Sequence, residues 1–154
     1  MAQIISNQNL DFRQFNLEGV VDRFDREGFF DNSNPVLDSA ELPGLVGRWS
    51  APDMAGFWTG AAQLDKATSK FLFGGNFVMS ADFNAVSGTL TGMVYTETVG
   101  NDFNFFALVG TSISAVRFQQ IASSPSANDD IAWLKSALAG NDRITGSNYA
   151  DYAY

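Results

Sequence analysis

The sequence predicts an α+β domain in which an antiparallel sheet of about five or more strands carries helices packed on one side. Three observations predict it. Between Ser69 and Ile121, short runs of β-branched and aromatic residues alternate with Gly, Asn and Asp turn signals. A well-delimited helical pattern follows Pro125. The length of 154 residues, 45% hydrophobic and 17% charged, suits one domain with a continuous core.

Taken in order, residues 2–15 set Ile4, Ile5, Leu10, Phe12 and Phe15 in a weak alternation that suits an extended arm or a first strand. Asn16 stands as a helix cap, Leu17, Val20, Val21 and Phe24 follow helical spacing, and Gly28 is a stop, so a helix is expected over 17–27. Residues 29–66 hold Pro35, Pro43 and Pro52 with Trp49, Phe57 and Trp58, which predicts loops and one or two short helices packed by aromatic side chains. Strands are expected over 71–73, 77–83, 88–98, 104–109 and 113–121, with Gly74-Gly75-Asn76 and Gly100-Asn101-Asp102 as turns. Leu90, Gly92, Val94 and Thr96 oppose Thr91, Met93, Tyr95 and Glu97 at a period of two. Neither set is purely polar, so both faces of that sheet are expected to be covered, one by helices and one by a neighbouring molecule. Ser126 caps the last helix, in which Ile131, Leu134 and Leu138 share a face and Gly140 is the stop. Asp129 and Asp130 fall in its first turn, where the helix dipole favours carboxylates.

Composition narrows the chemistry. Seventeen acidic against nine basic residues give a net charge of −8, which disfavours nucleic acid and anionic lipid as partners. The absence of His and Cys removes the commonest metal ligand, thiolate sites and the usual near-neutral proton shuttle. Ser112, Ser114, Lys66 and Lys70 form no nucleophile arrangement, and the acidic stretch from Asp22 to Asp38 lacks the spacing of an EF-hand loop. No catalytic residue is assigned, and the chain is expected not to be an enzyme. No apolar run reaches the ~18 residues of a membrane span. Residues 1–8 carry neither the basic nor the apolar region of a cleavable leader.

The segment Gly140-Asn141-Asp142-Arg143-Ile144 matches the G-x-D-x-U core of the G-G-x-G-x-D-x-U-x repeat, and Asp151 lies one repeat beyond Asp142. It resembles the entry to the calcium-binding β-roll of the repeats-in-toxin (RTX) proteins. In that roll Gly permits the tight turn, Asp supplies an oxygen to calcium and the apolar residue points inward. Calcium at Asp142 and Asp151 is the one cofactor implied. It takes about six to eight oxygens, more than one turn assembles, so a weak structural ion is expected unless a neighbouring molecule completes the site. The resemblance also implies export by the type I secretion apparatus, and Asp151-Tyr152-Ala153-Tyr154 looks like the uncleaved C-terminal signal of such proteins. The expected division is 1–139 as one α+β domain with an extended N-terminal arm, and 140–154 as RTX-like segment and secretion signal.

Over residues 68–138, the order of strand, Gly74-Gly75-Asn76, strand, Ser87-Gly88-Thr89-Leu90-Thr91-Gly92, later strands and final helix is similar to the secreted haemophores. That resemblance implies a sheet backed by helices. It does not carry over haem capture, because the haemophore tyrosine aligns with Met79 and no histidine is present, although Tyr95 offers a phenol that can ligate iron.

Two functions are therefore expected of an extracellular or cell-surface protein. The first is a structural protein that self-associates into an oligomer, filament, matrix or surface layer. Its arm, through Ile4, Ile5, Leu10 and Phe12, adds a strand to the next subunit. The arm serves equally as an edge strand of its own domain. The alternative function is a small-ligand carrier, with an apolar pocket around Trp49, Phe57 and Trp58.

Overall fold

The computed structural model describes residues 1–8, 11, 13 and 16–146. The strands are β1 (Gln3–Ser6), β2 (Arg26–Phe30), β3 (Val36–Leu37), β4 (Trp49–Ser50), β5 (Asp53–Thr59), β6 (Ser69–Met79), β7 (Ala85–Val99) and β8 (Asp102–Ser114). Two helices follow, α1 (Ala115–Ala122) and α2 (Ala127–Ala137), and then a last strand, β9 (Arg143–Thr145). Seven strands form one sheet in the order β2-β5-β6-β7-β8-β1-β9, and β3 pairs with β4 apart from it. The architecture is α+β and mostly β. It is mixed where an antiparallel sheet was expected, because β1 runs antiparallel to β8 but parallel to β9.

The β7–β8 hairpin turns at Gly100-Asn101, as its turn residues dictate, and α2 forms where expected, with Ser126 at its N-cap position but without a capping hydrogen bond from the Ser126 side chain. Four local expectations are corrected. Residues 29–66, expected as loops and one or two short helices, hold β3, β4 and the interior strand β5, with only a 3-10 turn at Leu64–Lys66. The 17–27 helix does not form: Gly19 adopts a left-handed φ of 63°, only Val21–Arg23 makes a 3-10 turn, and Arg26–Phe30 is strand. Leu17 is nonetheless buried, with Val20 and Phe24 packed against the same core, so the apolar spacing reported burial correctly without reporting a helix. Gly74-Gly75-Asn76 is no turn but the middle of β6, opposite a bulge. The expected strand over 113–121 ends at Ser114, whose Oγ accepts the Arg117 N–H at 3.3 Å and caps α1.

The bulge sets which residues face which core. Gly74 pairs with Gly92 and Gly75 with Leu90, leaving Thr91 extra. One added residue reverses the alternation, so Leu90 joins Met93 on the helix-covered face while Val94 stays on the other. The helix-side core gathers Ile4, Phe71, Phe73, Phe77, Leu90, Met93 and Leu108 beneath Phe118, Ile121, Trp133 and Leu134. The opposite core joins Ile5, Val94, Phe105, Ala107 and Val109 to Leu42, Leu45 and Trp49. Both faces are thus covered, but the second is covered by the chain's own segment between β3 and β5 and not by a neighbouring molecule. Gln3 fastens that segment: its Nε2 donates to Val46 O at 2.9 Å and its Oε1 accepts from Val46 N at 3.0 Å.

The arm is consumed by the fold. Ile4 and Ile5 are both 0% exposed, one in each core, with β1 paired on both edges. Of the two roles open to the arm, the described part takes the strand within its own domain. Leu10 and Phe12 lie outside the described residues.

Candidate functional site

The helix-covered face does not close completely. Between β5, β6, β7 and α1 it leaves a cavity of about 260 Å³, walled by Phe57, Phe73, Phe77, Met79, Phe83 and Phe118. Strand alternation explains the wall, since Phe73, Phe77 and Met79 stand at even spacing on one face of β6, and Phe57 projects from the same side of β5. The rings meet edge-on or tilted: Phe57 to Phe73 at 5.9 Å, Phe57 to Phe83 at 6.2 Å and Phe73 to Phe118 at 5.1 Å between centroids.

Phe83 reaches this wall from the turn between β6 and β7 at the expense of its backbone. Its φ of 58° lies in the left-handed region, where a bulky side chain costs about 1–3 kcal/mol and the surroundings must hold it. They do so with a compact network. Phe83 N donates to Ser80 O at 3.1 Å and Ser80 N to Asn84 O at 2.8 Å. Gln119 of α1 then clamps the turn: its Nε2 donates to Asn84 Oδ1 and its Oε1 accepts from Ala85 N, both at 2.6 Å. The charged side chains in the lining are Glu27 of β2 and Asp82 of the turn, both exposed.

The aromatic residues named from sequence do not share one pocket. Trp49 lies in the opposite core, its Nε1 donating to Thr91 Oγ1 at 3.3 Å. Trp58 packs against Phe30 at 6.4 Å between ring centroids, and Phe57 alone reaches the cavity. Phe73, Phe77, Met79, Phe83 and Phe118 are the additions, and the alternation of β6 was the signal that could have found most of them. A second hollow of about 380 Å³ between β8, α1 and α2 is lined by Thr111, Ser112, Ser136, Arg117 and Asp129 beside Trp133. Its small polar side chains and opposed charges give less apolar contact.

Asp142 has a structural partner. Its Oδ1 accepts from Ala2 N at 2.8 Å, next to the Arg143 N–H that donates to Ala2 O at 3.1 Å, so the RTX-like segment is stitched onto β1. The pairing of β9 with β1 therefore crosses the division expected at 139/140. Oδ2 of Asp142 is buried without a partner among the described residues. Asp151 lies outside them. No group of three or more acidic residues is placed to hold a metal ion among the described residues, and one free carboxylate oxygen falls far short of what calcium takes.

Two aspartates are buried among the described residues: Asp53, which accepts the Asn32 and Phe77 N–H groups at 3.1 Å each, and Asp130, at 0% exposure on the first turn of α2. Oδ2 of Asp130 accepts the Leu17 N–H at 3.2 Å, tying the chain before β2 to the helix layer, while Oδ1 lacks a partner among the described residues. Burial pushes its pKa up, the Leu17 N–H opposes that, and nearby Asp129 and Glu18 add to it.

Set beside protein-family models, curated proteins and solved structures, the chain matches none of them. The RTX-like and haemophore-like resemblances accordingly rest on the quoted residues alone.

Proposed function

We propose that this chain is a non-catalytic, exported domain that carries a small apolar ligand in the cavity beneath α1. The observation that carries this reading is the strained Phe83. A left-handed phenylalanine, clamped by Gln119 so that its ring meets Phe57, is the kind of local conflict that persists where function requires it. The RTX-like segment supports export by a type I route. Haem itself does not suit the cavity: Met79 stands at the aligned ligand position, and the Tyr95 ring packs edge-on to Phe71 at 6.2 Å. The volume of about 260 Å³ also falls below the ~300–1,000 Å³ of pockets for drug-sized ligands, so a one- or two-ring molecule is the fitting size. Calorimetric titration with 2-naphthylmethanol tests the reading. Saturable binding weakened about tenfold by Phe57→Ala supports it, on the scale of losing one aromatic contact. Absence of binding, or binding indifferent to Phe57, refutes it.

Self-association outside the cell is the second reading. It draws on exposed apolar side chains near both ends of β7: Val78 at 55% and Val86 at 59% exposure, then Val99 at 57% and Phe103 at 46%. Strand addition at the β2 edge is opposed by exposed Arg26 and Glu27, charges that blunt an edge. Negative-stain microscopy with light scattering decides it. Assemblies dispersed by Val86→Asp or Val99→Asp support the reading, and a monomer at all concentrations removes it.

A further inference from the structure

We infer that the cavity beneath α1 selects a ligand with a positively charged end, a ring-bearing amine or ammonium compound, over neutral and anionic molecules of the same shape. The inference rests on the carrier reading and adds the ligand's charge to it. The charged residues of the lining are both acidic, Glu27 on β2 and Asp82 on the β6–β7 turn, and no Lys or Arg is among the lining residues. The one amide in the lining offers an anion nothing. Gln119 has its Nε2 on Asn84 Oδ1 and its Oε1 on Ala85 N, so both ends are engaged in holding the turn.

Two further features act in the same direction. Five phenylalanine rings surround the space, and the faces of such rings attract cations and repel anions. The chain's net charge of −8 also raises the local concentration of cations at long range. The apolar wall takes the ring by burial, and the exposed carboxylates take the charge at the mouth, where it keeps part of its hydration.

Three probes that share one ring system separate shape from charge: 2-naphthylmethylammonium, 2-naphthylmethanol and 2-naphthoate, titrated calorimetrically into the full chain at low salt. The cation is expected to bind about tenfold more tightly than the alcohol, the scale of two exposed ion contacts together, and the anion most weakly. The preference should shrink with added salt. Glu27→Gln with Asp82→Asn should bring the cation-to-alcohol ratio close to one, and thermal melting verifies that the doubly substituted chain is folded. Equal binding of cation and alcohol to the native chain, or an unchanged ratio in the substituted chain, overturns the inference while the pocket stands. Failure of all three probes to bind overturns the pocket and the inference with it.

Discussion

The two faces of the sheet each carry an apolar core but are closed by different means. On the loop-covered face, Trp49 lies in a recess cut by Gly74 and Gly92, held by its hydrogen bond to Thr91, the bulge residue that also donates to Gly74 O at 3.3 Å. A Cβ on Gly92 would come within 2.9 Å of the indole. That face is fitted around one side chain. On the helix-covered face, many phenylalanines of one shape outline a space and leave it unfilled. A single large residue seated in glycine-made room closes a face, whereas repeated rings meeting edge-on leave gaps, because their quadrupoles favour tilted contacts over dense stacking.

The contrast is open to a direct attack. Trp49→Ala should cost about 3–5 kcal/mol in urea denaturation, the range for emptying a packed aromatic site. Phe57→Ala should cost less, because its ring already borders open space. Equal losses would show that the two faces are packed alike.

Gly74→Ala tests the recess from the other side. The added methyl would overlap the Trp49 ring and lie 2.9 Å from Ala51 Cβ, so a loss of about 1–3 kcal/mol is expected. Adding Trp49→Phe to that variant should recover part of it, since residues in contact couple. Strict additivity in the double-mutant cycle would contradict the fit described.

The smallest effect concerns the seam of the helix-covered face at Asp130. Its folded pKa is raised above the ordinary 3.8, so its contribution to stability is fully present below that value and is lost as pH rises through the raised folded pKa. Asp130→Asn keeps an oxygen for the Leu17 N–H and removes the buried charge. The variant should be the more stable at neutral pH, with the difference shrinking on acidification toward 3.8. Thermal melts of both proteins across that range check it, and a variant less stable at neutral pH would contradict the desolvation account.

Much of this architecture was legible in the residues, and the failures share a cause. The last helix was readable because Pro125, the apolar spacing of Ile131 and Leu134, and Gly140 are local in the sequence, although the Ser126 side chain caps nothing and Asp130 serves Leu17 instead of the helix end. The β7–β8 turn was readable for the same reason. Gly74-Gly75 misled because Gly74 answers to Trp49, 25 residues earlier in the chain, and Gly75 to the β7 backbone at Thr89 and Leu90, rather than to a turn. The alternation in β7 misplaced Leu90 because a bulge is created by pairing with β6 and has no mark in β7 alone. The strand expected to continue through Ile121 ends at a serine cap, although Ala115, Phe118 and Ile121 already stood three apart. At the candidate site, Phe57 was legible as one of three aromatics in a segment read as loop, although it stands on β5. Phe83 was not, because its importance lies in a backbone angle.

The position of β1 has a consequence for synthesis. Ile4 and Ile5 are made before the other strands of the sheet, and their antiparallel partners Leu108 and Ala107 emerge more than a hundred residues later. At about 5–20 residues per second on the ribosome, roughly 5–20 s separates the two strands. Throughout that interval β1 lacks the strand it pairs with, although Leu42, Leu45 and Val46, which meet Ile5 and Gln3, emerge sooner. β6, β7 and the first half of β8 can assemble as they appear, whereas β1 waits for β8. The pairing of β1 with β8 is thus a contact of high sequence separation, of the kind that slows folding.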